Sequence, residues 1–416
     1  VLVLIAALVL NLFLAVTAHA ANYYVATNGS DSNPGTEAAP FKTVQKGADV
    51  AKAGDTVFVM PGTYIGAIEN KNDGKASARI RFVSKERWAA KVAAPNSKIL
   101  WKSFGDYVDI EGFEVTGHTG GTSVTYIGII PYGTYSRVMY NHVHNIRTTE
   151  CNRGIGIHSL GYDTNFGTEI IGNLIHDMGG PTDGRECSDL TGNMAKTLDR
   201  GYGIYHATQF GKVQNNIIYN CGAYGIHLWH KADNSIISHN LIFNSRMGMT
   251  IGVGDSPFTG TGDGIIVSNN IVINSKTYGI RPFGKLGPNS RFINNILYNN
   301  GTDEIRNDKG APPPSMVFDN LIGVDPKLTN LAGGDYRLSA GSPAIDAGAT
   351  LCNSSVQSCM PTEDHWQGSR PFNSKYDIGA HEFGSTPKSA PPLIPPTGGG
   401  GIIPPAGGGG IGSCYK

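Results

Sequence analysis

The sequence predicts an all-β solenoid, a coil of short strands stacked rung upon rung, and three observations point there. Glycine supplies 56 of 416 residues alongside a 40% hydrophobic content. That exceeds ordinary globular usage without the three-residue period of collagen, and it marks a turn-rich β protein. The pattern Asn-x-apolar-x-Asn/Asp recurs at Asn141 to Asn145, Asn173 to Asp177, Asn216 to Asn220, Asn240 to Asn244, Asn270 to Asn274 and Asn295 to Asn299, with a frayed copy from Asn320. Successive starts lie 32, 43, 24, 30 and 25 residues apart, the range of a solenoid whose loops vary in length. After each of the first five copies comes a second short segment built around glycine, such as Gly154-Ile155-Gly156-Ile157 or Ala223-Tyr224-Gly225-Ile226, with no helical period between.

The elements follow in chain order. Val1 to Val16 is uncharged and mostly apolar and leads to Ala18-His19-Ala20. This is the small-residue cleavage pattern of a secretory signal, so residues 1–20 are expected to direct export, with an uncleaved membrane anchor as the alternative. Export places the six cysteines in an oxidising compartment, where Cys352 and Cys359 are expected to pair; the partners of Cys151, Cys187, Cys221 and Cys414 stay open. Tyr23 to Ala26 reads as a strand. Between Pro40 and Ala53, Phe41, Val44, Ala48 and Ala51 recur at helical spacing until Gly54-Asp55, and Thr56 to Met60 is a strand again. One short helix ahead of a repeat array reads as a cap on its open end. The repeated asparagines stack about 4.8 Å apart, so their amides can bond along the stack and satisfy the corners; their role is structural.

The opening Tyr23-Tyr24-Val25-Ala26-Thr27-Asn28-Gly29-Ser30-Asp31, with Pro40-Phe41-Lys42-Thr43-Val44-Gln45-Lys46, Ala53-Gly54-Asp55-Thr56-Val57 and Pro61-Gly62-Thr63-Tyr64, resembles the N-terminal cap of the right-handed parallel β-helix superfamily. Its members include pectate lyases and other extracellular polysaccharide lyases. The resemblance implies a right-handed parallel β-helix over residues 22–325. A further stretch, Asp335-Tyr336-Arg337-Leu338 with Ser342-Pro343-Ala344-Ile345-Asp346 and Asp377-Ile378-Gly379-Ala380-His381-Glu382-Phe383, is similar to the closing module of bacterial surface β-helix proteins. It implies a C-terminal capping module over 326–384 and a secreted or cell-surface chain. Residues 385–416 form a Pro/Gly-rich tail, with 15 Gly or Pro among the last 26 positions, a composition that cannot bury a core. As a linker this tail would attach the protein to the cell envelope; otherwise it is a free tail.

The chemistry is expected on one outer face. In each Gly-Ile strand the isoleucine is expected to point into the coil and the next residue outward, which gives the file Ile130, His158, Tyr205, His227, Thr250, Arg281. Two residues on, a second file holds Tyr132, Leu160, Ala207, Trp229, Gly252 and Phe283. Gly128, Gly156, Gly203, Gly225, Gly248 and Gly279 would line the other side and leave a flat trough.

Histidine, tyrosine and arginine on successive rungs suit β-elimination on a uronic-acid polymer. That reaction needs a cation on the carboxylate, a base, and an acid for the leaving oxygen. Arg281 or Lys231 is expected to hold the carboxylate, His227 or His158 to act as base, and Tyr205 as base or proton donor. Tyr132, Trp229, His230 and Phe283 would bind the sugar. His206 should point inward, and His142, His144, His176 and His239 read as structural.

In the insertion Asp177 to Arg200, the side chains Asp183, Glu186, Asp189 and Asp199 offer oxygens for Ca2+, with a solvated loop as the competing reading. Thirty-three basic residues balance 33 acidic ones, which excludes a nucleic-acid binder. No phosphate loop, zinc signature or Ser-His-Asp spacing occurs, and the outward files hold no pair of carboxylates for a hydrolase. The expected function is therefore a monomeric lyase on an acidic polysaccharide. A non-catalytic glycan-binding or adhesion module is the alternative, followed by an epimerase or glycoside hydrolase using similar residues.

Overall fold

A computed structural model describes residues 20–94, 97–117, 126–147, 154–160, 165–179, 201–230, 232–253, 261–306, 316–353, 355–356, 359–388 and 392–396. Among these residues the chain forms three long parallel sheets of eleven, ten and nine strands, each taking every third strand of the coil in order, except that the first strand, Asn22–Val25, pairs with the second, Thr56–Val59. Three strands therefore make one turn, and the next turn stacks on it. A small antiparallel pair, Leu328–Asn330 with Asp335–Leu338, stands apart.

Each strand is short because only its central residues face inward. Val138, Ile170, Val213, Ile237 and Val267 do so from the eleven-stranded sheet, and Val143, Ile175, Ile218, Ile242 and Val272 from the ten-stranded one. Ile129, Ile157, Ile204, Ile226, Met249 and Ile280 complete the interior from the nine-stranded sheet, and all sixteen are fully buried. Burial of one such side chain contributes about 1.5–3 kcal/mol. A rung thus secures itself with three of them.

The asparagine repeat forms a continuous ladder inside the corners. Asn141, Asn173, Asn216, Asn240, Asn270, Asn295 and Asn320 lie on consecutive turns, and from Asn173 onward each Oδ1 accepts from both the backbone N–H and the side-chain amide of the asparagine before it, at 2.9–3.1 Å, while Asn141 Oδ1 accepts from Phe113 N–H at 2.9 Å. The same amide also donates to a carbonyl on the preceding turn, as Asn216 does to Ile170 at 2.9 Å. The asparagine or aspartate that ends the motif takes positive φ, from Asn145 at 56° to Asn299 at 57°, a conformation these residues tolerate better than most.

The helix Val44–Val50 is shorter than the Pro40 to Ala53 pattern. Thr43 ends the extended entry and caps it by accepting from Lys46 N–H at 3.1 Å. Its face, Val44, Gly47 and Ala48, packs on Val25 and Val57 at the head of the coil.

The described residues between 326 and 388 lie along the flank of the coil. Tyr336, Leu338, Trp366 and Ile378 cover the outward side chains Ile217, Tyr219, Phe243 and Ile271. Fully buried Arg370 clasps this segment, donating to Glu382 at 2.9 Å and to Asn215 of the coil at 2.7 Å. Cys352 and Cys359 form a disulfide, as their spacing suggested. Cys221 is buried, whereas Cys151, Cys187 and Cys414 lie outside the described residues.

Candidate active site on the nine-stranded sheet

Strand register sets the site. His158 pairs with Tyr205, Tyr205 with His227, His227 with Thr250 and Thr250 with Arg281, so the predicted file runs over five consecutive rungs about 4.8 Å apart. Ile129 pairs with Ile157, which sets Ile130 ahead of His158, and Ile130 pairs with Lys102, which pairs with Glu69. At the other end Ile280 pairs with Ile305, so Arg306 follows Arg281. Lys102, Glu69 and Arg306 went unrecognised in the sequence because no Gly-Ile marker precedes them.

The trough is not lined by glycines, which corrects the expected flat wall. A Cβ built on Gly156 would meet Ile175 Cγ2 at 2.8 Å, and one on Gly128 would meet Val143 Cγ1 at 2.9 Å, both interior side chains. Glycine and the following isoleucine thus both face the core across a kink, which breaks simple alternation. The residue before each glycine turns outward instead. Tyr202, Tyr224, Met247 and Tyr278 form that wall, and Tyr224 and Met247 are buried in it. The triplet Tyr-Gly-Ile, repeated at 202, 224 and 278, was the available signal.

Tyrosine and histidine rings interlock across the two files. Tyr205 meets His158 edge-on at 4.5 Å and His227 at 4.8 Å, while Tyr224 stacks on His227 at 4.8 Å and Tyr202 lies 5.0 Å from it. The Tyr205 hydroxyl and His230 Nε2 share a hydrogen bond of 2.8 Å. His230, expected to contact sugar, sits against the phenol.

Both histidines of the file are more enclosed than the sequence implied. His227 is 8% exposed, and His158 keeps an exposed edge although both its ring nitrogens are shielded. Among the described residues, neither His158 nitrogen, nor Nδ1 of His227, has a hydrogen-bond partner. Burial, and then the neighbouring His230, push both rings down from 6.5 to about 3. At neutral pH they are uncharged, and weak bases.

On the far side Trp229 and Phe283 stack at 5.2 Å. They belong to alternate rungs and meet because Gly252, which pairs with Phe283 on the rung between, carries no side chain. Tyr132 lies in the same file toward the N-terminal end and stacks on exposed Phe104 at 4.8 Å. The Arg281 guanidinium sits 4.7 Å over the Phe283 ring, and Arg306 lies 5.2 Å over Tyr278. The face is therefore aromatic along both edges, with Arg281 and Arg306, the latter 3.0 Å from Asp303, toward the C-terminal end and Lys102, 3.6 Å from Glu69, toward the N-terminal one. His206 points inward as expected, fully buried between Ser159 and Ser235 hydroxyls at 2.8 and 3.1 Å. Lys231, Asp183, Glu186, Asp189 and Asp199 lie outside the described residues.

Three parallel sheets coiled about one aliphatic core, with a polar and aromatic file along one outer wall, define a right-handed parallel β-helix, and the chain has the fold of that superfamily. The comparisons with known proteins agree. Residues 188–323 match the right-handed β-helix region family, and residues 27–71 match a family described only as a protein of unknown function. Pectate lyase L of Dickeya chrysanthemi is 22% identical over 82% of this chain and 88% of its own. The uncharacterized protein YwoF of Bacillus subtilis is 32% identical, but the match spans only 30% of this chain and 29% of that protein. The crystal structure of pectate lyase Pel9A superposes with a TM-score of 0.53 and 17% identity over 87% of this chain and 96% of that one, a likeness of fold.

Proposed function

We propose that the outer face of the nine-stranded sheet cleaves a uronic-acid-containing polysaccharide by β-elimination. The observation that carries this is the hydrogen-bonded Tyr205–His230 pair, set between two neutral imidazoles on a face walled by aromatic rings. The pectate lyase relatives support the same class of substrate.

In the elimination, a base removes the proton on the carbon bearing the carboxylate. That electron pair forms a double bond to the adjacent ring carbon, and the glycosidic oxygen on that carbon leaves with a proton. Tyr205 is the group best placed to move protons, since its hydroxyl can pass its own proton to His230 and take one from the sugar, then return it to the leaving oxygen. With pKa values near 3, His158 and His227 are poor bases at neutral pH. With their unpartnered nitrogens shielded, the two imidazoles instead frame the Tyr205 ring through edge-on contacts at 4.5 and 4.8 Å.

Arg281 stands three rungs from Tyr205, about 14 Å along the stack. That is too far to touch the reacting sugar, so Arg281 and Arg306 hold carboxylates further along the polymer. Trp229 and Phe283 offer apolar faces for sugar rings. The Cys352–Cys359 disulfide supports action in an oxidising, extracellular setting.

The test is ultraviolet absorbance of the unsaturated product on incubation with polygalacturonate, alginate and glucuronan. A rise with one polymer, lost in Tyr205→Phe, supports the lyase. Activity that survives both Tyr205→Phe and His230→Gln refutes the proton-transfer pair. Binding without any product would favour the second reading, a glycan-binding module, which the density of stacked rings on this face also suits.

A further inference from the structure

We infer that His142, His144 and His176, on the outward face of the ten-stranded sheet, form a binding site for one transition-metal ion of the Zn2+ class. His142 and His144 lie two apart on one strand and so point the same way, and His144 pairs in register with His176 on the next rung. One ring nitrogen from each lies within 4.8 Å of the others. The three sit on a different sheet from the Tyr205 file.

The hydrogen bonds around them already select ligand tautomers. His176 Nδ1 bonds Asp177 Oδ2 at 2.8 Å, which leaves its Nε2 with the lone pair, and His142 Nε2 approaches that atom head-on at 2.8 Å. Two imidazole nitrogens at this distance must share a proton. A divalent ion replaces it, with the nitrogens parting to about 3.3 Å for tetrahedral Zn–N bonds of about 2.0–2.1 Å. His144 Nε2 bonds Glu114 at 2.9 Å, so its Nδ1, now contacting the Asn145 amide at 2.9 Å, is the third ligand once the ring turns from its stack on His142. Two of the three imidazoles thus carry a carboxylate on the nitrogen away from the metal, the arrangement that fixes ring orientation and raises ligand basicity.

The surroundings bury His142 and His176 and leave one approach. The nearby cations Lys91 and Arg147 are paired with Glu114 at 2.8 Å and Asp177 at 3.3 Å, so the carboxylates screen them, while Arg87 stacks over Trp88. Trp88 covers His142 and Tyr219 stacks on His176, whereas the side chain of His144 remains 12% exposed. Without a metal, the same rings would only end the aromatic stack that runs from His176 through Tyr219 to Phe243.

Zinc uptake by the full chain after chelator treatment separates the two. The expected result is one Zn2+ per chain by calorimetry, a higher unfolding temperature with Zn2+, and visible absorption bands of tetrahedral coordination with Co2+. Asp177→Asn should weaken binding about ten- to hundred-fold through the lost carboxylate, and His142→Gln/His144→Gln should abolish it while circular dichroism stays unchanged. His158→Gln/His227→Gln on the other sheet should bind as the parent does. Absence of uptake, uptake undiminished in the His142/His144 variant, or loss of uptake only in the His158/His227 variant would overturn the site.

Discussion

Replacing His227 with glutamine should remove a defined part of the protein's sensitivity to acid. Folded, His227 is held down from 6.5 to about 3, first by burial and then by His230 and His158. The unfolded state therefore binds a proton as pH falls below about 6.5, while the folded state does not until pH nears about 3. A depressed pKa means that this stabilisation is complete above the unfolded value and is lost on acidification through that window. From about pH 7 to about pH 5 the loss attributable to this one ring is about 2 kcal/mol. Glutamine keeps a polar side chain of similar reach but cannot titrate. Urea unfolding at both pH values should show that His227→Gln loses about 2 kcal/mol less than the parent on acidification, whatever its own stability at pH 7. An identical pH dependence in the two proteins would refute the claim that His227 is buried and neutral.

Two further substitutions probe the frame that positions the site. Asn240→Ala leaves the Asn216 backbone N–H and the Val213 carbonyl without the partners seen at 3.0 and 2.8 Å, all fully buried, and should cost about 2–5 kcal/mol in denaturant unfolding; a loss under about 1 kcal/mol would mean that the ladder is dispensable. Arg370→Met strands the buried Glu382 carboxylate and should cost about 3–5 kcal/mol, exposing the segment 326–388 to limited proteolysis ahead of the coil; unchanged protease resistance would contradict its role as the clasp.

The solenoid was legible because its corners repeat. One asparagine per turn, each bonding to the next, writes the stacking period directly into the chain, and the variable loop lengths do not disturb it. The file from His158 to Arg281 was also readable, since each member follows the isoleucine, or in one rung Met249, that fills the core. Alternation failed at Gly156 and its equivalents, where two successive residues face inward, and this hid the Tyr202, Tyr224 and Tyr278 wall. Nothing local announced the contact between Tyr205 and His230, which depends on how the chain turns after Trp229. Likewise, His142 and His176 are separated by 34 residues, and only the register of two strands brings their nitrogens together. The docking of Trp366 and Tyr336 on the flank is a tertiary choice that no short-range pattern encodes.

The central claim is that one acidic polysaccharide chain lies along the nine-stranded sheet with its reacting sugar at Tyr205. A crystal structure of Tyr205→Phe with an unsplit oligouronide tests this most directly, because the variant keeps the ring and removes only the hydroxyl. The account predicts a saccharide running parallel to the coil axis, stacked on Trp229 and Phe283, with one sugar against the ring at residue 205 and a carboxylate near Arg281. A saccharide seated on either of the other two sheets, or lying across the rungs with no sugar near residue 205, would contradict it.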